Sequence, residues 1–89
     1  MIAIKSKYHG PTDTRGSMVR ARANGRSAQL PWASELGSEE NHYRAVVLLC
    51  RKLGWDVDRF FGGNLESGEW VWVPVFTADW EKRQQKHEV

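Results

Sequence analysis

Residues 18–30 read MVRARANGRSAQL, and this stretch decides the fold because it specifies a β-hairpin together with its register. Asn24-Gly25 is the preferred pair for a two-residue type I′ turn. A loop of two residues places Arg22 opposite Ser27 and thereby fixes every other pair in the two strands. The apolar face of the hairpin then consists of Val19, Ala21, Ala28 and Leu30. The polar face consists of Arg20, Arg22, Ser27 and Gln29.

The segments at the two ends of the chain predict one further strand each. IAIKSKY, residues 2–8, alternates with period 2, so that its isoleucines lie on one side and Lys5 and Lys7 on the other. EWVWVPVF, residues 69–76, alternates in the same way, with three valines on one side and Trp70 and Trp72 on the other. Pro74 favours an edge position for this strand, or a bulge or break near its end.

A helix is predicted between these strands by EENHYRAVVLLCRKLGW, residues 39–55. Apolar residues recur there at the spacing of one helical face. Ser38 is expected to be the N-cap, with Glu39 and Glu40 in the first turn, where the helix dipole favours negative charge. Gly54 suits the left-handed position that ends many helices. We expect this helix to cover the apolar face of the sheet.

The sequence therefore predicts an α+β fold with an antiparallel sheet, in the order β-β-β-α-β. One main helix lies on one face, and a short C-terminal helix follows the last strand. Residues 1–78 form a single domain, and residues 79–89 form a polar helical tail. Residues 56–69, DVDRFFGGNLESGE, are interpreted as a turn-rich connection because they contain Gly62-Gly63 and Ser67-Gly68.

Length and composition limit the classes of protein. A chain of 89 residues is one domain, and at this size only about 60–65% of the unfolded surface is buried. A homodimer or another partner would cover more of it. Cys50 is the only cysteine, which excludes an internal disulfide and a cysteine metal cluster. No apolar run is long enough for a signal peptide or a membrane span, so we expect a cytoplasmic protein without membrane contact.

Positive charge is concentrated near the N-terminus. Residues 1–30 contain six basic residues and one acidic residue, whereas the remainder contains seven basic and ten acidic residues. This imbalance favours a nucleic acid or an acidic protein surface as partner. A solvated charged face without a partner is the alternative.

The loop KYHGPTDTRGS, residues 7–17, carries reactive residue types but no recognised catalytic pattern. It is not a phosphate-binding P-loop, because five residues separate its glycines and no lysine follows the second. A catalytic set of His9, Asp13 and Ser17 is conceivable, but their spacing in the sequence does not show how the three side chains are arranged in space. We interpret the loop as a turn held by Asp13, with Arg15 as a contact for an anion or acidic partner. No catalytic residue, metal site or cofactor is predicted, and we do not expect an enzyme.

Two segments carry a resemblance. They resemble segments of small uncharacterised proteins from bacteria and their phages or plasmids. The two segments are residues 5–17, KSKYHGPTDTRGS, and residues 39–55, EENHYRAVVLLCRKLGW. The resemblance implies a protein of a phage or mobile element and assigns no residue a role. Small proteins of this kind often act by binding nucleic acid or a host protein that they inhibit, including one with a defence function.

The outward face of the sheet is the predicted functional surface. If the valines of the last strand pack on the helix, Trp70 and Trp72 join the basic residues outside and favour single-stranded nucleic acid, which needs cations for phosphates and rings for bases. If the tryptophans pack inside, the valines face outward, and both orientations remain open. A protein-binding module or inhibitor using the same arginine and tryptophan surface is the alternative function. The candidate binding residues are Lys5, Lys7, Arg15, Arg20, Arg22, Arg26, Trp70 and Trp72.

Overall fold

A computed structural model describes residues 2–77, and this part of the chain contains five strands and one helix. The elements are β1 (Ile4–His9), β2 (Met18–Ala23), β3 (Arg26–Pro31), α1 (Ser38–Leu53), β4 (Val57–Asn64) and β5 (Trp70–Phe76). They form one antiparallel sheet with the strand order β3-β2-β1-β5-β4. The predicted α+β class with one main helix on an antiparallel sheet is confirmed. The predicted C-terminal helix, residues 79–89, lies outside the described residues.

The β2–β3 hairpin has the predicted turn and register. Asn24 has φ 52° and Gly25 has φ 72°, the positive values that a type I′ turn requires. Arg22 pairs with Ser27, and the remaining pairs follow as expected. Val19, Ala21 and Ala28 are buried, whereas Arg20 and Arg22 are exposed. The apolar face of the hairpin is therefore the face that the helix covers.

The core lies between α1 and the sheet, mainly at β1, β2 and β3, and it also includes Trp72 of β5. Ala21 and Ala28 are opposite each other on the sheet, and both are buried, as is Ala45 on the helix. These short side chains allow the helix to approach the sheet closely. The larger apolar residues Val46 and Leu49 are fully buried around that contact.

A search of residues 2–77 for a helix able to span a lipid bilayer finds none.

The start of α1 differs from the prediction. Gly37 is the N-cap residue, Ser38 is the first helical residue, and no side chain caps this end of the helix. Buried Asn41 instead stabilises the preceding loop: its Oδ1 accepts from the Ala33 amide at 2.8 Å, and its Nδ2 donates to the Gly37 carbonyl at 3.0 Å. The side-chain amide of Asn41 thus forms hydrogen bonds with several backbone groups of the loop at once, whereas the Ser38 hydroxyl makes no capping hydrogen bond.

The end of α1 matches the prediction. Gly54 has φ 71°, and the Trp55 amide donates to the Cys50 carbonyl at 3.0 Å, which closes the last turn. Cys50 is buried, and desolvation raises the pKa of its thiol to about 11. The thiolate is therefore scarce at neutral pH, so Cys50 acts as a small core residue.

Residues 57–64 form a strand, so the interpretation of residues 56–69 as one turn-rich connection is wrong. β4 pairs with β5 from Val57↔Phe76 to Asn64↔Trp70. Gly62 lies opposite Trp72, and a Cβ built on Gly62 would stand 2.8 Å from Cε3 of that indole. The glycine thus provides room for a large ring on the neighbouring strand. The reversal of the chain occurs later, where the Leu65 amide donates to the Glu69 carbonyl at 2.7 Å.

Pro74 occupies a position where β5 has only one neighbour. β1 pairs with β5 only at Trp70–Trp72, so Pro74 lies beyond that pairing and faces Phe60 of β4. β5 is internal by strand order, yet its end behaves like an edge strand and tolerates the missing amide proton. The irregularity that the proline predicted lies on the partner strand, as a register shift between Val57 and Arg59.

The glycine pair of β4 offers a matched test of this packing. Gly62→Ala should lower the free energy of unfolding by about 1–3 kcal/mol, because the new methyl group overpacks against Trp72. Gly63→Ala is the control, since a Cβ there meets nothing within 4 Å, and it should leave stability unchanged or raise it by up to about 1 kcal/mol. Urea unfolding of both variants measures the difference. Equal stabilities would contradict the proposed role of Gly62.

Candidate functional site

Four basic side chains come together on the sheet face opposite α1. Lys5 of β1 pairs with Arg22 of β2, and Lys7 pairs with Arg20. All four are exposed and line one recess, together with His9 and Glu69. We call this set the basic cluster: Lys5, Lys7, Arg20 and Arg22.

The basic cluster is electrostatically uncompensated. Like charges directly opposite each other on neighbouring strands are destabilising. Among residues 2–77, no member of the basic cluster makes an ion pair, and the hydrogen bond from Arg20 Nη2 to Ser27 Oγ, at 3.3 Å, involves a neutral partner. Glu69 is the only carboxylate among the residues that line the recess. The sheet register therefore places four like charges side by side, and a bound anion would reduce their repulsion.

Arg26 and Arg15 stand in different relations to this cluster. Arg26 lines a second recess at the turn of the β2–β3 hairpin, which it shares with Lys5, Arg20 and Arg22. Arg15 is exposed in the loop between β1 and β2 and lines neither recess. The structure thus brings Arg26 next to the basic cluster and places Arg15 apart from it.

The valines face outward, and the tryptophans face the helix. Val71 pairs with Lys5 and lines a recess with the arginines of β2. Trp72 is only 6% exposed and belongs to the core, and Trp70 packs against it in a stacked arrangement, with 5.7 Å between ring centroids. The expectation that Trp70 and Trp72 join the basic face is therefore wrong, and the inward alternative is confirmed. Burying an indole gains more than burying a valine, provided that its N–H finds an acceptor.

That acceptor is the hydroxyl of Ser6. Trp72 Nε1 donates to Ser6 Oγ at 2.9 Å, and Ser6 Oγ lies 2.7 Å from His42 Nδ1. A hydroxyl that accepts from the indole can still either donate to Nδ1 or accept from it, so the direction of this second hydrogen bond follows the tautomer of His42. Desolvation lowers the pKa of His42 and so favours the neutral imidazole.

This serine–histidine contact belongs to the core. Ser6 is 0% and His42 is 1% exposed, so neither can reach a substrate. The pair joins β1, α1 and β5, and the rings of Trp32 and Trp70 surround the imidazole at centroid distances of 5.8 and 5.5 Å. The period-2 pattern of β1 places Ser6 on the inner face with Ile4. The sequence does not show that its partner on the helix is His42.

The loop after β1 is a turn, as interpreted, but Asp13 does not hold it. The Thr12 amide donates to the Arg15 carbonyl at 2.7 Å, and the Arg15 amide donates back to the Thr12 carbonyl at 3.4 Å. Among residues 2–77, no hydrogen bond involves the Asp13 side chain. Ser17 Oγ is hydrogen-bonded to the Tyr8 hydroxyl at 3.0 Å rather than to a histidine. The described residues also contain no group of three or more histidine, cysteine or acidic side chains arranged to hold a metal ion.

The outer sheet face also contains residues outside the predicted set of binding residues. Phe61 pairs with Val73, and Arg59 pairs with Val75, which places both β4 side chains on the same face as the basic cluster. The Arg59 guanidinium lies 5.8 Å from the centroid of the Phe61 ring, and Phe61 is 63% exposed. Period-2 alternation within β4 would have identified this pair if the segment had been recognised as a strand.

Comparison of the chain with protein-family models, with curated proteins and with solved structures gives no match. The function is therefore inferred from the geometry of the outer sheet face.

The repulsion within the basic cluster is measurable as stability. Lys5→Glu converts the pair with Arg22 into an attractive one and should raise the free energy of unfolding by about 0.2–1 kcal/mol at low salt. Urea unfolding should show this gain disappearing near 1 M salt, where the Debye length is about 3 Å. Arg15→Glu, the same change of charge at an exposed loop position apart from the basic cluster, is the control. A Lys5→Glu variant less stable than the parent at low salt would contradict the electrostatic account.

Proposed function

We propose that this protein binds nucleic acid through the outer face of its sheet, with the basic cluster contacting phosphates. The observation that carries the proposal is the pairing of Lys5 with Arg22 and of Lys7 with Arg20, four exposed cations without an ion pair among residues 2–77. Such an arrangement lowers the stability of the fold and gains favourable interactions only when anions are present.

The chemistry of the cluster suits a phosphate backbone. Arginine binds phosphate through two parallel N–H donors, whereas lysine acts as a compact point charge. Adjacent strands lie about 4.8 Å apart, and side chains on one face repeat about every 6.8 Å along a strand. The four cations therefore form a small lattice that several consecutive phosphates can contact without any base being read.

Neither tryptophan belongs to this contact surface, so affinity is expected to depend mainly on charge. Neutralising four phosphates of a single strand gives a slope of about −2.8 for the logarithm of the binding constant against the logarithm of the salt concentration. Binding is expected to be non-enzymatic and to take place in the cytoplasm. The resemblance to phage and plasmid proteins is in keeping with a mobile-element protein that handles nucleic acid.

A protein partner is the second candidate. The observation that favours it is the row Val71, Val73 and Val75 beside the basic cluster, with exposed Phe61 next to that row. Apolar contacts flanked by arginines are typical of protein interfaces. An acidic surface on a host protein, including one with a defence function, or a second copy of this chain would then occupy the same face.

Charge reversal on β2 tests the nucleic-acid proposal. Arg20→Glu combined with Arg22→Glu should abolish binding of a fluorescent oligonucleotide at low salt, measured by anisotropy, because two cations become repelling anions. Arg44→Glu combined with Arg51→Glu makes the same charge change at exposed positions of α1 and should retain most of the affinity.

Two results would reject the proposal. One is an absence of oligonucleotide binding by the parent protein even at low salt. The other is an equal loss of affinity in the β2 and α1 double variants, which would indicate attraction by net charge alone. Recovery of a single stoichiometric host protein, with binding abolished by the β2 variant, would support the second candidate instead.

A further inference from the structure

We propose that the nucleic acid bound here is single-stranded, with bases stacking on Phe61 while phosphates contact the basic cluster. This inference rests on the proposed function and specifies its ligand. It replaces the tryptophans, which lie on the other face, with a ring on β4.

The outer face has a basic half and an apolar half, side by side. In one row across the sheet, Arg22 is followed by Lys5, then by Val71, then by Gly63. A single strand presents phosphates along one side and unpaired bases along the other, whereas a duplex keeps its bases stacked inside and presents mainly phosphates. The division of this face therefore matches a single strand lying along β1, with its bases directed over β5 and β4.

Phe61 is placed to receive a base. The residue is 63% exposed, more than any other large apolar residue among residues 2–77. Gly63, two residues further along the same face, leaves open space, since a Cβ there would meet nothing within 4 Å. Phe61 and Gly63 lie on the outer face beside the valines of β5, and Phe61 also lines a recess at the edge of the sheet with Glu39 and Glu40 of α1.

The reach across the sheet is suitable. Strands lie about 4.8 Å apart, so β4 is about 10 Å from β1. Phe61 pairs with Val73, one step of about 6.8 Å along the strand from the row of Lys5 and Val71. The backbones of Lys5 and Phe61 are therefore about 12 Å apart, a separation that a nucleotide and the lysine side chain can bridge together. Arg59, whose guanidinium is 5.8 Å from the Phe61 centroid, adds a cation beside the stacking position. Rings interleaved with cations are the usual means by which proteins hold single strands without reading sequence.

Glu69 places a negative charge at one side of the site. It is the one carboxylate among the residues lining the recess of the basic cluster. A phosphate approaching Lys7 would be repelled by it, so Glu69→Gln should strengthen binding of single strands and of duplexes alike. A gain of affinity for both probes identifies the contribution of charge, whereas Phe61 should contribute to the affinity for single strands alone.

The test compares anisotropy titrations of a labelled oligothymidylate and a labelled duplex of equal length. Phe61→Ala should weaken oligothymidylate binding by about 5- to 100-fold, the usual effect of removing one stacking ring, and leave duplex binding unchanged. Phe61→Leu should lose as much, because it keeps apolar contact without a flat ring, whereas Phe61→Tyr should retain the affinity. Because Phe61 is exposed, all three variants are expected to fold, and urea unfolding verifies this.

The outcomes separate this inference from the proposed function. If Phe61→Ala binds oligothymidylate as the parent does while charge reversal on β2 abolishes binding, the stacking inference is wrong and the proposed function stands. An equal loss of duplex and single-strand binding in Phe61→Ala would also overturn the inference. If the parent binds neither probe at low salt, the proposed function fails and this inference fails with it.

Discussion

The hydroxyl of Ser6 is the group on which the arrangement of this protein depends. It accepts a hydrogen bond from Trp72 Nε1 at 2.9 Å and is hydrogen-bonded to His42 Nδ1 at 2.7 Å, with no exposure to solvent. One buried oxygen thus joins the central strand, the adjoining strand β5 and the helix. Because it satisfies the indole, the tryptophans can lie inside, and the valines and cations are left on the outer face.

Much of the fold could be predicted because local rules and burial agree there. Asn24-Gly25 determines the hairpin, and the helix face follows from apolar spacing between Ser38 and Gly54. β4 could not be predicted from local signals, since Gly62-Gly63 resembles a turn until the partner ring is known. Only the tertiary contact with Trp72 explains a glycine in that strand. Likewise, Asn41 stabilises the loop before α1 through contacts that no capping pattern of the sequence announces.

The charged residues of the candidate site could be predicted from the sequence, but the positions of its aromatic rings could not. Period-2 alternation placed the four members of the basic cluster on one face, and the hairpin register brought the arginines together. Which face the tryptophans take depends on the buried acceptor at Ser6, which the sequence does not reveal. Phe61 and Arg59 were missed because their strand was missed. The resulting surface combines repelling cations with exposed apolar groups, two features that cost stability in isolation and that a single-stranded polyanion would satisfy together.

The most direct test of the central claim is a two-dimensional amide NMR titration of the full chain with oligothymidylate at low salt. If a single strand binds the outer sheet face, chemical shifts should change at Lys5, Lys7, Arg20 and Arg22 and at Phe61–Gly63, with the amides of α1 largely unaffected. Changes concentrated on α1, or the absence of any change at saturating oligonucleotide, would contradict it.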